Sequence, residues 1–158
     1  DAMPIVEQAP TDLGALGTAL VRQKKYDEAT LMHYRFYPDM FSFARQVQSM
    51  CDHAKNCTAL LAGVEAPKYE DSEKSLAELI ARIEKTLAFL NTVKPGQIDG
   101  TEGKPVTVKM RDRELNLKGL ELLLNRSLPN FFFHCTTAYD ILRHNGVEVA
   151  KRDFMGAA

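Results

Sequence analysis

Between Leu120 and His144, a stretch rich in Leu and Phe carries Ser127, Asn130, His134, Thr137 and His144 at three- and four-residue steps, with Ile141 completing the repeat. On a helix this spacing gathers the polar groups on one face. Phe131, Phe133 and Ala138 surround His134 and turn its imidazole inward, where it needs a hydrogen-bond partner. Asn130, four residues back on the same face, is the nearest group the sequence offers. Three kinds of chemistry are open to such a stripe: a polar network that fixes helix register, the lining of a small-molecule pocket with His134 as its acid-base group, and metal ligation.

A second set lies earlier in the chain. Arg45, Gln48 and Asp52 share a helical face beside an apolar seam, and Gln48 or Asp52 can face the later helix across the core. His53 and Cys57 are four apart, a spacing that permits a shared metal, but no third ligand is near in sequence; His53 reads more simply as a boundary residue. Cys57 falls on the seam and Cys135 in the Phe-rich stretch, where inert core thiols are the default. The common enzymatic signatures are absent: no phosphate-cradling glycine loop, no Gly-x-Ser-x-Gly elbow, no His-Glu-x-x-His and no Glu-x-x-His pair of a di-iron bundle.

The chain that must position these groups has 158 residues, the size of a single domain, read here as residues 1–158. Its 20 basic and 21 acidic side chains give a formal charge of −1, and 45% of residues are hydrophobic. That balance argues against disorder and removes the electrostatic case for nucleic acid or an anionic membrane as partner. Three cysteines without a two-residue pairing suggest reduced thiols. With no signal-peptide pattern and no apolar run near ~20 residues, a cytoplasmic location is the expectation. The sequons at Asn56 and Asn125 sit within helical stretches and are taken as chance matches.

Ile5, Val6, Ala9, Leu13, Leu16 and Leu20 form a first helical face, interrupted at Pro10. Asp39 is placed to cap a second helix whose seam is Phe43, Val47, Met50, Ala54, Cys57 and Leu61, ending at Gly63. Ser75 and Glu78 form a capping box for a third, with the stripe Leu76, Leu79, Ile80, Ile83, Leu87 and Leu90 stopped by Pro95-Gly96. Alternation of Val106, Val108 and Met110, then Leu115 and Leu117, predicts a hairpin within 104–118. The fourth helix follows, kinked at Pro129 and stopped at Gly146. Leu79, Ile83, Leu87, Val47, Ala54 and Leu124 are expected to be buried. Four helical segments with one hairpin imply an all-α antiparallel four-helix bundle with a short β-hairpin before the last helix.

Particular strings resemble a known family. Pro38-Asp39-Met40-Phe41 leads into Ala44-Arg45-Gln46-Val47-Gln48; then come Leu61-Ala62-Gly63-Val64-Glu65, Pro129-Asn130-Phe131-Phe132-Phe133-His134 and Ile141-Leu142-Arg143-His144-Asn145-Gly146-Val147. Together they are similar to the domain of unknown function family nineteen ninety-three, within the DinB/YfiT-like metalloenzyme superfamily, from about Ala2 to Gly156. The resemblance implies a DinB-like bundle, commonly a homodimer. In the wider superfamily a divalent metal is held by one His on the second helix and a pair four residues apart on the fourth. His134 matches the second of that pair, Asn130 stands where the first would be, and Gln48 falls near the second-helix ligand. Amides are weak ligands for Zn or Ni, so no cofactor is expected. The resulting expectation is a small-molecule ligand bound in an inter-helix pocket lined by Gln48, Asp52, Asn130, Thr137 and His144, with His134 as acid-base group. The alternatives are a non-catalytic dimeric interaction module and a metal-dependent transferase.

Overall fold

The computed structural model describes residues 27–110 and 112–155. The apolar repeat from Ile5 to Leu20, with its interruption at Pro10, lies outside the described residues. The fold is all-α with one two-stranded hairpin.

Helix α1, Glu28–His33, is capped by Asp27, whose carboxylate accepts from Thr30 N at 3.2 Å. Helix α2, Phe43–Ala62, begins later than Asp39 would place it: Ser42 is the cap, its Oγ accepting from Arg45 N at 3.4 Å. Pro38 favours a tight turn closed by Met40 N onto Tyr37 O at 3.0 Å, so Asp39 is used up inside that turn. The seam is inward as expected, with Phe43, Val47, Met50, Cys57 and Leu61 buried and Ala54 half-buried. Gly63 ends the helix at φ 73°, a left-handed cap, and Lys104 Nζ donates to the Leu61 carbonyl at 3.0 Å.

Helix α3, Leu76–Thr92, is capped by Ser75, which accepts from Glu78 N at 3.2 Å. The Glu78 carboxylate reaches back one residue further than the usual box, to Lys74 N at 2.6 Å. Leu76, Leu79, Ile83 and Leu90 are buried, with Ile80 and Leu87 half-buried. The hairpin pairs β1, Pro105–Lys109, with β2, Glu114–Lys118, in antiparallel register with Val106 opposite Leu117 and Val108 opposite Leu115. Its apolar side covers Cys57, Leu61 and Leu122, forming a small satellite core at one end of α2.

The fourth helix is not a single regular element. Helix α4, Gly119–Leu122, passes through a π-turn, Leu123–Ser127, into α5, Leu128–His144. The widened turn lets the chain carry Pro129 in the first turn of α5, where the missing N–H is tolerated. It also rotates the upstream face. Leu122 is buried, Leu123 half-buried, and Leu124, expected in the core, is 50% exposed. Gly119 fits because a Cβ there would lie 2.2 Å from the Thr101 carbonyl oxygen. Gly146, at φ 86°, closes α5, and Val147 and Val149 fold back into the core ahead of α6, Lys151–Met155.

Helix α2 is the centre of the arrangement, packed against α5 on one side and α3 on the other. Its two polar margins therefore face different neighbours. No helix among the described residues is long and apolar enough to cross a membrane.

Candidate functional site

His134 is buried on α5, and its Nδ1 lies 2.7 Å from Gln46 Oε1 on α2. Gln46 is itself buried, and its Nε2 donates to the Phe41 carbonyl at 3.2 Å. That bond fixes the orientation of the amide, because only its NH₂ can donate to a carbonyl. Oε1 therefore faces the imidazole as an acceptor, so Nδ1 carries the proton and Nε2 of the neutral ring holds a lone pair. Nε2 makes no hydrogen bond among the described residues. Burial, then the neighbouring His53, then Arg45 hold the His134 pKa down at about 4, so the ring is neutral at pH 7.

The surroundings of the ring are aromatic. Phe41 lies 5.9 Å away at 10° and His53 5.5 Å away at 16°, both near-parallel, while Phe133 meets it edge-on at 5.2 Å. Phe41 and Phe133 are 46% and 57% exposed, so His134 sits just beneath a surface rim rather than deep in the bundle. His53 is half-buried and also shifted down, by burial first and by Arg126 second.

Gln48 and Asp52 are elsewhere. Gln48 Nε2 donates to Glu73 at 2.8 Å and its Oε1 accepts from Arg45 at 3.3 Å. Asp52 pairs with Arg82 at 3.0 Å and Lys55 at 3.3 Å. Two residues along a helix amount to about 200° of rotation, so Gln46 and Gln48 cannot both face α5. The chain gives Gln46 to α5 and Gln48 to the segment leading into α3. There Arg82, its side chain 2% exposed, is surrounded by Asp52, Asp71 and Glu73 and also donates to the Glu70 carbonyl.

The remaining stripe residues of α5 make no hydrogen bond to His134. Asn130 Nδ2 donates to its own helix at Arg126 O, 2.6 Å away, and Thr137 Oγ1 to Phe133 O at 2.7 Å. His144 is exposed and packs against Tyr34 and Phe36 at 5.8 and 5.6 Å. It is ten residues from His134, about 15 Å along the helix. The groups that do surround His134, namely Gln46, His53 and Phe41, were not singled out together by sequence reasoning. The available signal was the seven-residue step from Gln46 to His53, which puts both on one face of α2.

The three cysteines are buried free thiols. Burial pushes Cys51 up to about 11 and Cys135 up to about 12, and raises Cys57 as well. Nor do the donors suit a divalent metal. Among the described residues no group of three His, Cys, Asp or Glu side chains is disposed to hold a metal ion, the Asp52, Asp71 and Glu73 carboxylates being turned onto Arg82, and the Gln48 amide is committed to Glu73 and Arg45. His134 and His53 alone fall short of the three strong donors such an ion needs. An apolar cavity of about 10 Å³ between Met50, Cys51, Ile83, Thr86, Leu90 and Phe131 is too small for an organic ligand and does not include His134.

This arrangement of helices and hairpin is that of a DinB-type bundle. The model of the Domain of unknown function (DUF1993) matches residues 12–155, and the chain belongs to that family. It is similar to the crystal structure of a DinB family member protein from Shewanella denitrificans, with a TM-score of 0.88 and 36% sequence identity over 100% of this chain and 90% of that one. No curated protein matches.

Proposed function

We propose that this DinB-like protein binds a small organic molecule against the Phe41–His134–Phe133 rim, with His134 Nε2 accepting a hydrogen bond from it. One observation carries the reading: a neutral, oriented imidazole whose free nitrogen is unbonded lies directly beneath two exposed aromatic rings. The Gln46 amide supplies the orientation, as the outer partner of a working imidazole commonly does. A ring that gains a proton only near pH 4 is a weak general base. It orients a donor and removes a proton only from an acidic one.

The test is a screen of small organic fragments against histidine-labelled protein, read by the imidazole resonances. Binding at the site moves the His134 and His53 signals together, and His134→Phe, which keeps an aromatic ring but no nitrogen, weakens it. A diverse library that moves neither signal would remove the reading.

A second reading, a homodimer, is favoured by the exposed apolar side chains Leu120, Leu124 and Phe132, which stand 46%, 50% and 38% exposed. Light scattering at tens of micromolar that returned a monomer would count against it.

A further inference from the structure

Arg45, Phe41, His134 and His53 form a consecutive set of planar groups: the guanidinium stands 5.5 Å from the Phe41 ring centre, Phe41 lies 5.9 Å from His134, and His134 lies 5.5 Å from His53. These spacings exceed direct face-to-face contact, so the rings are offset and leave part of their faces uncovered.

The charges beside the set are not all neutralised internally. Arg45, Lys55 and Arg82 are matched by Asp52, Asp71 and Glu73. Arg126 has no carboxylate partner among the described residues; its Nη2 reaches only the weak acceptor Met110 Sδ, at 3.6 Å. Arg45 makes its bonds to Gln48 and Asp71 through Nη1 alone, leaving Nε and Nη2 without partners among the described residues. Asp71 is held independently by Arg82 at 3.0 Å, so it need not leave when Arg45 takes a second anion. That Arg45 and Arg126 both act to depress the two imidazoles agrees with a shared electropositive space.

We infer that the occupant of this site is a planar organic anion that also carries a hydroxyl or N–H donor, a hydroxy-aromatic carboxylate or its equivalent, whose ring lies on the exposed Phe41 and Phe133 rings, whose charge is received by the free edge of Arg45 and whose donor meets His134 Nε2. The inference rests on the binding reading given above and adds the ligand class. A guanidinium presents paired donors that fit a carboxylate, and an aromatic rim accepts a flat ring without conformational cost.

Benzoate, benzamide and benzamidine, each as its 4-hydroxy derivative so that the phenol can donate to His134 Nε2, share one shape and differ in charge, and each is titrated into the full chain with the His134 and His53 resonances as readout. Benzoate should bind about tenfold or more tighter than benzamide, as expected for a charge-assisted contact. It should also raise the pH at which His134 takes its proton, because a nearby anion favours the charged ring. Arg45→Gln should bring benzoate to the level of benzamide, Arg45→Lys should keep most of the difference, and Arg152→Gln, on a side chain 90% exposed in α6, should change nothing. Equal binding of benzoate and benzamide, tighter binding of benzamidine, or indifference to Arg45→Gln would overturn the ligand class while leaving the site. If none of the three moves either imidazole, the ligand class falls, and the fragment screen alone decides whether the binding reading falls with it.

Discussion

Gln46 and His134 meet across the α2–α5 contact, the amide oxygen 2.7 Å from the imidazole Nδ1, and both side chains are buried. Replacing Gln46 by Leu keeps most of the volume but leaves Nδ1–H without an acceptor. An unmet buried donor costs about 1–3 kcal/mol. Gln46→Leu should therefore lower the unfolding free energy by that amount in urea titration and release the tautomer preference, seen as a change in the imidazole nitrogen shifts. Gln46→Glu should move the His134 pKa upward, since a carboxylate at the same distance favours the protonated ring. A Gln46→Leu protein with unchanged stability and unchanged shifts would show that the contact orients nothing.

The low His134 pKa makes stability depend on acid. Unfolded, the ring takes a proton near its ordinary 6.5; folded, only near 4. Between those values the unfolded chain holds more protons, so protons draw the protein toward unfolding. The contribution is fully present above about pH 6.5 and is lost as the pH falls toward about 4. Its size is on the order of 3 kcal/mol, from about 1.4 kcal/mol per pH unit. His53 acts in the same direction, its pKa lowered chiefly by burial. Urea titrations at steps across this range should show falling stability, and His134→Phe should flatten the slope. A slope unaltered by that substitution would assign the acid sensitivity to other groups.

On the other side of α2, Arg82 contacts Asp52, Asp71 and Glu73 at 3.0 Å each with its side chain 2% exposed. Removing one partner of a buried ionic cluster leaves the others uncompensated and typically costs about 3–5 kcal/mol. Arg82→Ala should approach that loss, while Asp52→Asn, which leaves Asp71 and Glu73 in place, should cost less. An Arg82→Ala loss below about 1 kcal/mol, the range of an exposed pair, would mean that water already screens the cluster.

How far these contacts could be read from sequence follows from the periodicities involved. Strand alternation has period two, so a hairpin with Val106 and Val108 on one strand and Leu115 and Leu117 on the other had only one inward face to choose, and the pairing follows it. The seam of α2 was similarly visible, and Gly63 announced its end. A helix has polar margins on both sides of its seam, however, and nothing local says which neighbour each margin meets. Gln46 and Gln48 flank the same seam, and only the packing of α2 between α5 and α3 sends the first to His134 and the second to Glu73. Leu124 shows a different limit. Its exposure follows from the π-turn before Pro129, and a repeat counted at regular helical spacing has no place for the wide turn.

The metal content of the protein tests the donor chemistry of the site directly. A Zn or Ni site needs about three strong donors aimed at one point. Around His134 the described residues offer one further imidazole, His53, whose ring lies near-parallel at 16°. The carboxylate one residue from it, Asp52, is held by Arg82 and Lys55, and Gln46 presents its oxygen to Nδ1–H. Drawing Asp52 toward an ion would take a half-buried partner from the buried Arg82, a cost that sets weak binding further back. Protein purified without a His tag and without chelators should therefore carry well under one equivalent of transition metal. Added Zn should be removed by mild dialysis and leave the thermal midpoint unchanged, because a ligand raises the midpoint only when it exceeds its dissociation constant. Elemental analysis returning about one equivalent of Zn, Ni or Fe per chain, lost in both His134→Ala and His53→Ala, would overturn this and bring the transferase reading forward.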